Sequence, residues 1–91
     1  MAQVVITFKI LPDDVDVNLE NLKSKVELEI KQFGGTVGKF ESVPVGFGLT
    51  AMNVVFICNE SLGGTDELED KIKKIHGIQS CEVTDCRRAL G

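Results

Sequence analysis

The sequence predicts a single α+β domain whose elements follow the order strand, helix, strand, strand, helix, strand. The chain has 91 residues, a length that suits one compact core, so we assign residues 1–91 to one domain. Four segments are rich in β-branched and aromatic residues, and two others carry apolar residues at intervals of three and four. Glycine pairs and turn sequences separate these segments.

The first half of the chain predicts one strand and one helix. Residues 4–11 are mostly β-branched or aromatic and end at Pro12, where a turn sequence begins. Asn18 is a suitable N-cap for the helix that follows, and Gly34 with Gly35 is a suitable end. The apolar residues of this helix recur three or four positions apart at Leu19, Leu22, Val26, Ile30 and Phe33.

The second half predicts two strands, a shorter helix and a last strand. Residues 36–45 and 49–59 are the strands, and the apolar run in the second of them suits an inner strand that is covered on both faces. After a break at Gly63 and Gly64, Thr65 or Asp66 caps a helix that ends at Gly77. The last strand is predicted over residues 78–86, which leaves residues 87–91 as a tail.

This order is the split βαβ arrangement of the ferredoxin-like fold. In that α+β sandwich, a four-stranded antiparallel sheet carries two helices on one face. Domains with this fold include RNA binders, sensors of small molecules, metal carriers and small hydrolases. The function must therefore be inferred from particular residues.

Composition and charge argue against several classes of function. The formal net charge is −4, which disfavours direct binding to nucleic acid. An apolar segment of about 20 residues, as a membrane span needs, is absent from the sequence, and no export leader precedes the first strand. We therefore expect a cytoplasmic protein that does not bind membranes.

The reactive side chains do not form a recognisable enzymatic or metal-binding pattern. His76 is the single histidine, and no nucleophile lies near a plausible base in sequence, so we expect no enzymatic chemistry and no cofactor. Cys58, Cys81 and Cys86 lack the C-x-x-C spacing of zinc sites, and we interpret them as small buried hydrophobic residues. The acidic turn at residues 13–16 lacks the glycine and distal glutamate of an EF-hand loop.

One stretch of the sequence resembles a known family. The residues Val43-Pro44-Val45-Gly46-Phe47-Gly48-Leu49 are followed by an apolar strand, an acidic turn, Asp66-Glu67-Leu68 and then Ile78-Gln79-Ser80. This ordered series is similar to the exchange domain of the elongation factor 1-beta family, which has a Pro-x-Gly-aromatic-Gly motif and a Val-Gln-Ser step before its last strand. The similarity spans about half of the chain and, because the chain begins at Met1 without a longer leader segment, looks like the archaeal form.

The resemblance implies a function and a partner. Members of this family release GDP from elongation factor 1-alpha, the GTPase that delivers aminoacyl-tRNA to the ribosome. We therefore expect a monomeric exchange factor that docks through Pro44, Gly46, Phe47 and Gly48. Phe47 matches the aromatic residue of the family motif, and the alternative is that its ring folds back onto the core.

The resemblance also points to the end of the chain. In eukaryotic members a lysine near the end reaches towards the Mg²⁺ and γ-phosphate positions of the GTPase, and an ungapped alignment from Ile78 places Arg88 there. Arg87 precedes it, and the alternative is that both arginines are solvated charges in a frayed tail. A guanidinium is a planar fork and not the compact charge of lysine, so the two are not interchangeable in a tight site.

A second function from another class remains open at this point. Ferredoxin-like domains also act as regulatory modules that bind a small effector through self-association. Such a module would dimerise and change its melting temperature with a metabolite, whereas an exchange factor would be a monomer that responds to a GTPase.

Overall fold

A computed structural model describes residues 2–62 and 64–89. Gly63 of the predicted break, and Leu90 and Gly91 of the predicted tail, lie outside the described residues. The described part contains the predicted elements in the predicted order, with a one-turn 3-10 helix, Glu60–Leu62, after the third strand. The elements are β1 Gln3–Pro12, α1 Leu19–Phe33, β2 Thr36–Gly46, β3 Leu49–Asn59, α2 Asp66–Lys73 and β4 Ile78–Ala89.

The four strands form one antiparallel sheet in the order β2-β3-β1-β4. β1 lies inside the sheet, pairing with β3 from Gln3 to Ile10 and with β4 from Gln3 to Pro12. The arrangement confirms the predicted ferredoxin-like fold. It also places Gln3 beside Ala89, because β1 and β4 are neighbours.

The core lies between the two helices and one face of the sheet. Alternate residues of β1, namely Ile6, Phe8 and Ile10, are buried against α1 and α2, as their strand spacing of two requires. Phe8 and Phe56 meet edge to face, with ring centroids 5.0 Å apart and planes at 70°. The apolar residues of α1 that are fully buried are Leu22, Val26 and Ile30.

The predicted ends of α1 are confirmed. The Asn18 side chain accepts a hydrogen bond from the backbone N–H of Asn21 at 3.2 Å, which satisfies one of the free donors of the first turn. Gly34 has a φ of 109°, and its N–H donates to the carbonyls of Ile30 and Lys31. Such a left-handed C-cap favours glycine, which has no Cβ to strain the backbone.

The second helix is shorter than predicted, because α2 ends at Lys73 rather than near Gly77. The chain then makes two tight turns, in which the N–H of Ile75 donates to Ile72 and the N–H of Ile78 donates to Ile75. These turns redirect the chain into β4. Thr65 is the N-cap residue, but its side chain makes no capping hydrogen bond.

In the part of the chain that the structure describes, the other face of the sheet carries no helix, which corrects one expectation. β3 is an inner strand but is covered on one face only, and Ile57 on the opposite face is 37% exposed. We call this surface the open face.

Among the described residues, no helix is long and apolar enough to span a membrane.

Candidate functional site

The tip of the hairpin between β2 and β3 has an unusual backbone. We call residues 44–48 the Phe47 loop; Pro44 and Gly46 still pair with β3. Three successive residues have positive φ, which is 101° at Gly46, 54° at Phe47 and 77° at Gly48. Glycine adopts this region freely, whereas a phenylalanine pays about 1–2 kcal/mol for it. The two glycines therefore make the tight turn possible, and Phe47 is held at its apex under strain.

This backbone directs the Phe47 ring into solvent. The residue is 101% exposed relative to its reference state, so the alternative in which the ring folds back onto the core is wrong. The left-handed backbone destabilises the fold, and the exposed ring contributes no burial that would offset this strain. Features of this kind concentrate at functional sites, where the cost is offset by binding or catalysis.

A cleft of about 290 Å³ lies beside the ring, between the Phe47 loop and the open face. Its apolar surface includes Leu11, Leu49 and Val45, of which Val45 is itself 38% exposed. Lys9 and Glu82 add one charge of each sign at the cleft. The ring and the cleft together form a surface that offers apolar contact within a polar rim, as protein interfaces do.

The predicted tail is part of a strand. β4 continues through Arg87 and Arg88 to Ala89, and these three residues pair with Val5, Val4 and Gln3 of β1. The prediction that the last strand ends at Cys86 and leaves residues 87–89 in a tail is therefore wrong, and so is the alternative that this tail is frayed there. Pairing with the inner strand β1 fixes the backbone there although the local sequence is highly charged.

Arg88 is held by a carboxylate of the same chain. Its Nε donates to Glu60 Oε2 at 2.9 Å and its Nη2 donates to Glu60 Oε1 at 2.6 Å. The two parallel bonds form the bidentate fork that guanidinium and carboxylate groups favour. Arg87 instead pairs with Asp85, with Nε and Oδ2 3.0 Å apart. Neither arginine is an unpaired charge.

Arg87 and Arg88 lie on opposite faces of the sheet as successive strand residues do, and a β-bulge in β4 sets which face each of them takes. Thr7 pairs with Asp85 while Phe8 pairs with Val83, so Thr84 is the extra residue. Directly paired residues point to the same face of a sheet. Arg88 therefore lies on the helix-covered face with its partner Val4, and Arg87 lies on the open face.

The structure does not bring Phe47 and Arg88 together. Arg88 is level with Cys58, because both pair with Val4, and Phe47 lies just beyond Gly48 at the other end of β3. Ten residues of strand from Gly48 to Cys58 span about 30 Å at roughly 3.3 Å per residue. The longest dimension of the molecule is 42 Å. The predicted site is therefore two separate surfaces at opposite ends of the sheet.

The cysteines differ from one another in exposure. Cys58 and Cys81 are buried as predicted, but Cys86 is exposed. Burial is the main cause that raises the pKa of Cys81 to about 12, and burial also raises the pKa of Cys58. Cys86 follows the bulge and lines a small groove beyond α2, where no helix covers it. The prediction that all three thiols are buried is wrong for Cys86.

The acidic turn lines a cavity of about 350 Å³, whose lining includes Asp13, Asp14, Asp16 and His76. Asp14 accepts a hydrogen bond from the backbone N–H of Asp16 at 3.4 Å, which is a local turn contact. Within the described residues, no group of three histidine, cysteine, aspartate or glutamate side chains is placed to hold a metal ion.

Sequence reasoning missed Glu60. Its fork with Arg88 joins residues that are 28 positions apart, and contact across that separation depends on how the strands pair. The sequence contained a weak indication, since Glu60 directly follows the third predicted strand and Arg88 lies just after the last one. An inner β1 between these two strands is what makes their ends meet.

A comparison with models of protein families shows which family the chain belongs to. Residues 5–89 match the model of the EF-1 guanine nucleotide exchange domain. The chain belongs to this family. The match includes the Phe47 loop and both arginines, and membership supports a guanine nucleotide exchange role for the chain.

Full-length relatives agree with the family assignment. Over 90 residues the chain is 38% identical to elongation factor 1-beta of Methanothermobacter thermautotrophicus, covering 99% of this chain and 100% of the relative. The protein of the same name from Methanobrevibacter smithii is also 38% identical over 90 residues, with the same coverage. That from Staphylothermus marinus is 33% identical over 89 residues, covering 97% of this chain and 98% of the relative.

Solved structures that resemble the exchange domain confirm its fold. The ACT domain from the GTP pyrophosphokinase of Chlorobium tepidum superimposes with a TM-score of 0.60 at 17% identity, covering 89% of this chain and 97% of that one. LarC2, the C-terminal domain of a cyclometallase, superimposes with a TM-score of 0.65 at 15% identity, covering 99% of this chain and 58% of that one. At such low sequence identity the similarity shows a shared fold and does not indicate a shared function, so neither structure favours the regulatory module.

Proposed function

We propose that this exchange domain accelerates GDP release from elongation factor 1-alpha by docking both ends of its sheet on the GTPase. The observation that carries the proposal is the Phe47 ring, fully exposed at the apex of a strained turn between two glycines. On this proposal the chain acts as a monomer in the cytoplasm. It needs neither a cofactor nor a nucleic acid, and it performs no covalent chemistry.

The Phe47 end is suited to supply binding energy. A rigid aromatic side chain that is fully exposed in the free protein gains its whole burial on contact with a partner. The neighbouring cleft offers Leu11, Leu49 and Val45 for further apolar contact. Pro44 fixes its own backbone angle just before the turn, so little conformational entropy is lost when the loop docks.

The arginine end is suited to act on charge. The guanidinium of Arg88 fits a carboxylate or a phosphate in the same bidentate manner that it shows with Glu60. The Mg²⁺ site of a GTPase contains both kinds of anion. A cation placed there competes with the metal that neutralises the β-phosphate, which weakens the hold on GDP. Arg87 lies on the open face beside it, available for a flanking contact.

Linkage then explains exchange without a catalytic side chain. A partner that weakens nucleotide binding by some factor is itself bound more weakly by that factor when nucleotide is present. The complex should therefore be most stable with the empty GTPase and should dissociate when GTP binds. All that the exchange domain has to provide is a surface that fits the empty form better.

The test is the release rate of fluorescent GDP from a matched archaeal elongation factor 1-alpha. The rate is measured with excess unlabelled nucleotide at fixed Mg²⁺ while the exchange domain is titrated. We expect an acceleration that rises with concentration and saturates. We also expect that the double variant Phe47→Ala, Arg88→Ala loses most of the effect. Normal exchange by the folded double variant would contradict the proposed docking.

A further inference from the structure

The fork between Arg88 and Glu60 gives Glu60 a role in exchange, an inference that rests on the proposed function. Both oxygens of Glu60 are occupied by Arg88, through Nε at 2.9 Å and Nη2 at 2.6 Å. The side of the guanidinium formed by Nε and Nη2 is one of the edges through which arginine grips a carboxylate or phosphate in a bidentate manner. Glu60 therefore occupies that edge and holds the Arg88 side chain towards the chain's own carboxylate.

The backbone holds both members of the pair in place. Arg88 is fixed by strand pairing with Val4. The N–H of Glu60 donates to the carbonyl of Ala2 at 3.0 Å, and the Asn59 side chain accepts from the N–H of Ser61 at 2.9 Å. Both anchor points belong to the same end of the sheet. The fork thus joins two side chains whose backbones are both held at this end of the sheet.

The direction of the Arg88 side chain follows from these anchors. Glu60 lies past the end of β3 and Arg88 lies in β4, with β1 between them. To reach Glu60, the arginine side chain has to run sideways across the end of β1. In this position the guanidinium donates to the Glu60 carboxylate, which neutralises the positive charge of Arg88.

We propose that Glu60 is a positioning residue that restrains exchange. It keeps the Arg88 fork folded onto the sheet, and docking requires the fork to pass from Glu60 to an anion of the GTPase. The restraint is modest, because the Arg88 and Glu60 side chains are 63% and 42% exposed. Exposed pairs of this kind change an equilibrium by about two- to five-fold.

The test measures kcat/KM for GDP release with wild-type protein and the variant Glu60→Gln. The amide keeps the size of the side chain and removes its charge, so we expect kcat/KM to rise about two- to five-fold. Glu29→Gln is the matched control, since Glu29 on α1 forms no ion pair among the described residues. This control removes the same charge and should leave kcat/KM unchanged.

Two further variants distinguish restraint by the fork from general effects of charge or folding. In an Arg88→Ala background, Glu60→Gln should have no effect on kcat/KM. Glu60→Asp keeps the charge but shortens the side chain by one methylene, so it should behave more like Glu60→Gln than like the wild type. Melting temperatures close to that of the wild type show that the variants are folded.

The possible results separate the two proposals. If the wild-type protein does not accelerate GDP release, the proposed function and the role of Glu60 both fail. If the wild type is active, three results overturn the role of Glu60 alone: an unchanged or lower kcat/KM for Glu60→Gln, an equal rise with Glu29→Gln, or an equal rise in the Arg88→Ala background.

Discussion

Replacing Phe47 with alanine should separate function from stability. The ring is fully exposed in the free protein, so its removal leaves the core intact, and the free energy of unfolding should change by less than about 0.5 kcal/mol. In the complex, the same ring should be buried. Burying a phenylalanine side chain contributes about 1.5–3 kcal/mol, which corresponds to a loss of about 10- to 150-fold in kcat/KM.

The assay is fluorescent GDP release at several concentrations of the variant. We expect the concentration for half-maximal acceleration to rise while the maximal rate is largely kept, because Phe47 supplies binding and lies about 30 Å from the arginine end at strand spacing. Leu28→Ala is the control, since Leu28 is 54% exposed on α1 and lies outside both proposed contact surfaces. It should leave kcat/KM unchanged.

A second replacement at the same position sharpens the result. Phe47 has a φ of 54°, which glycine adopts without the strain of about 1–2 kcal/mol that other residues pay. Phe47→Gly should therefore be at least as stable as Phe47→Ala while losing kcat/KM to a similar extent. A folded Phe47→Ala variant that keeps kcat/KM within two-fold of the wild type would refute the argument that the exposed ring docks on the GTPase.

Three further predictions follow from burial. Cys86 is exposed and should react with a small maleimide in the native state, and bound elongation factor 1-alpha should slow that labelling if the arginine end docks. The pKa of Cys81, raised to about 12 mainly by burial, exceeds the ordinary value of 9.0. The free energy of unfolding in urea should therefore be highest below about pH 9 and should decline towards pH 12. In the Cys81→Ala variant this decline should be smaller. Gly35→Ala should lower stability by about 1–3 kcal/mol, measured by thermal unfolding, because the new Cβ would lie 3.1 Å from the Phe56 ring.

The parts of the fold that could be predicted from the sequence are those set by local patterns. α1 shows this most directly, since its apolar spacing, its Asn18 cap and its Gly34 end are all local signals, and each is found in the structure. The order of strands and helices then selected the ferredoxin-like sheet, because few arrangements accommodate that order. The local signals of the helices and strands and the topology of the sheet therefore lead to the same fold.

The parts that could not be predicted depend on how strands pair. The bulge at Thr84 shifts the alternation of β4 by one residue. The position of a bulge depends on how β4 pairs with β1, which the sequence of β4 alone does not specify. That shift turns Cys86 and Arg88 towards the helix-covered face and Arg87 towards the open face. A strand without the bulge would point Arg88 away from Glu60, so the fork depends on a single inserted residue.

The Phe47 loop was predicted as a motif, but its exposure was left open by the sequence. A phenylalanine between two glycines is compatible with a ring that packs inward as well as with one that points outward. Three successive positive φ angles decide between these possibilities. They belong to a tight hairpin whose register is set by β3, which is again a property of pairing.

The separation of the two ends limits how this domain can work. Surfaces about 30 Å apart at strand spacing cannot both touch one bound nucleotide, so at most one of them acts on it directly. Arg88 carries the charge that suits a metal and phosphate site, and Phe47 carries the apolar area that suits a remote contact. The inner strand β1 pairs along nearly its full length with both neighbours, so the sheet joins the two ends rigidly. Binding energy gained at the Phe47 end can therefore hold the arginine end against a site that would otherwise favour Mg²⁺. On this view, releasing Arg88 from Glu60 is the one rearrangement that the domain itself has to make.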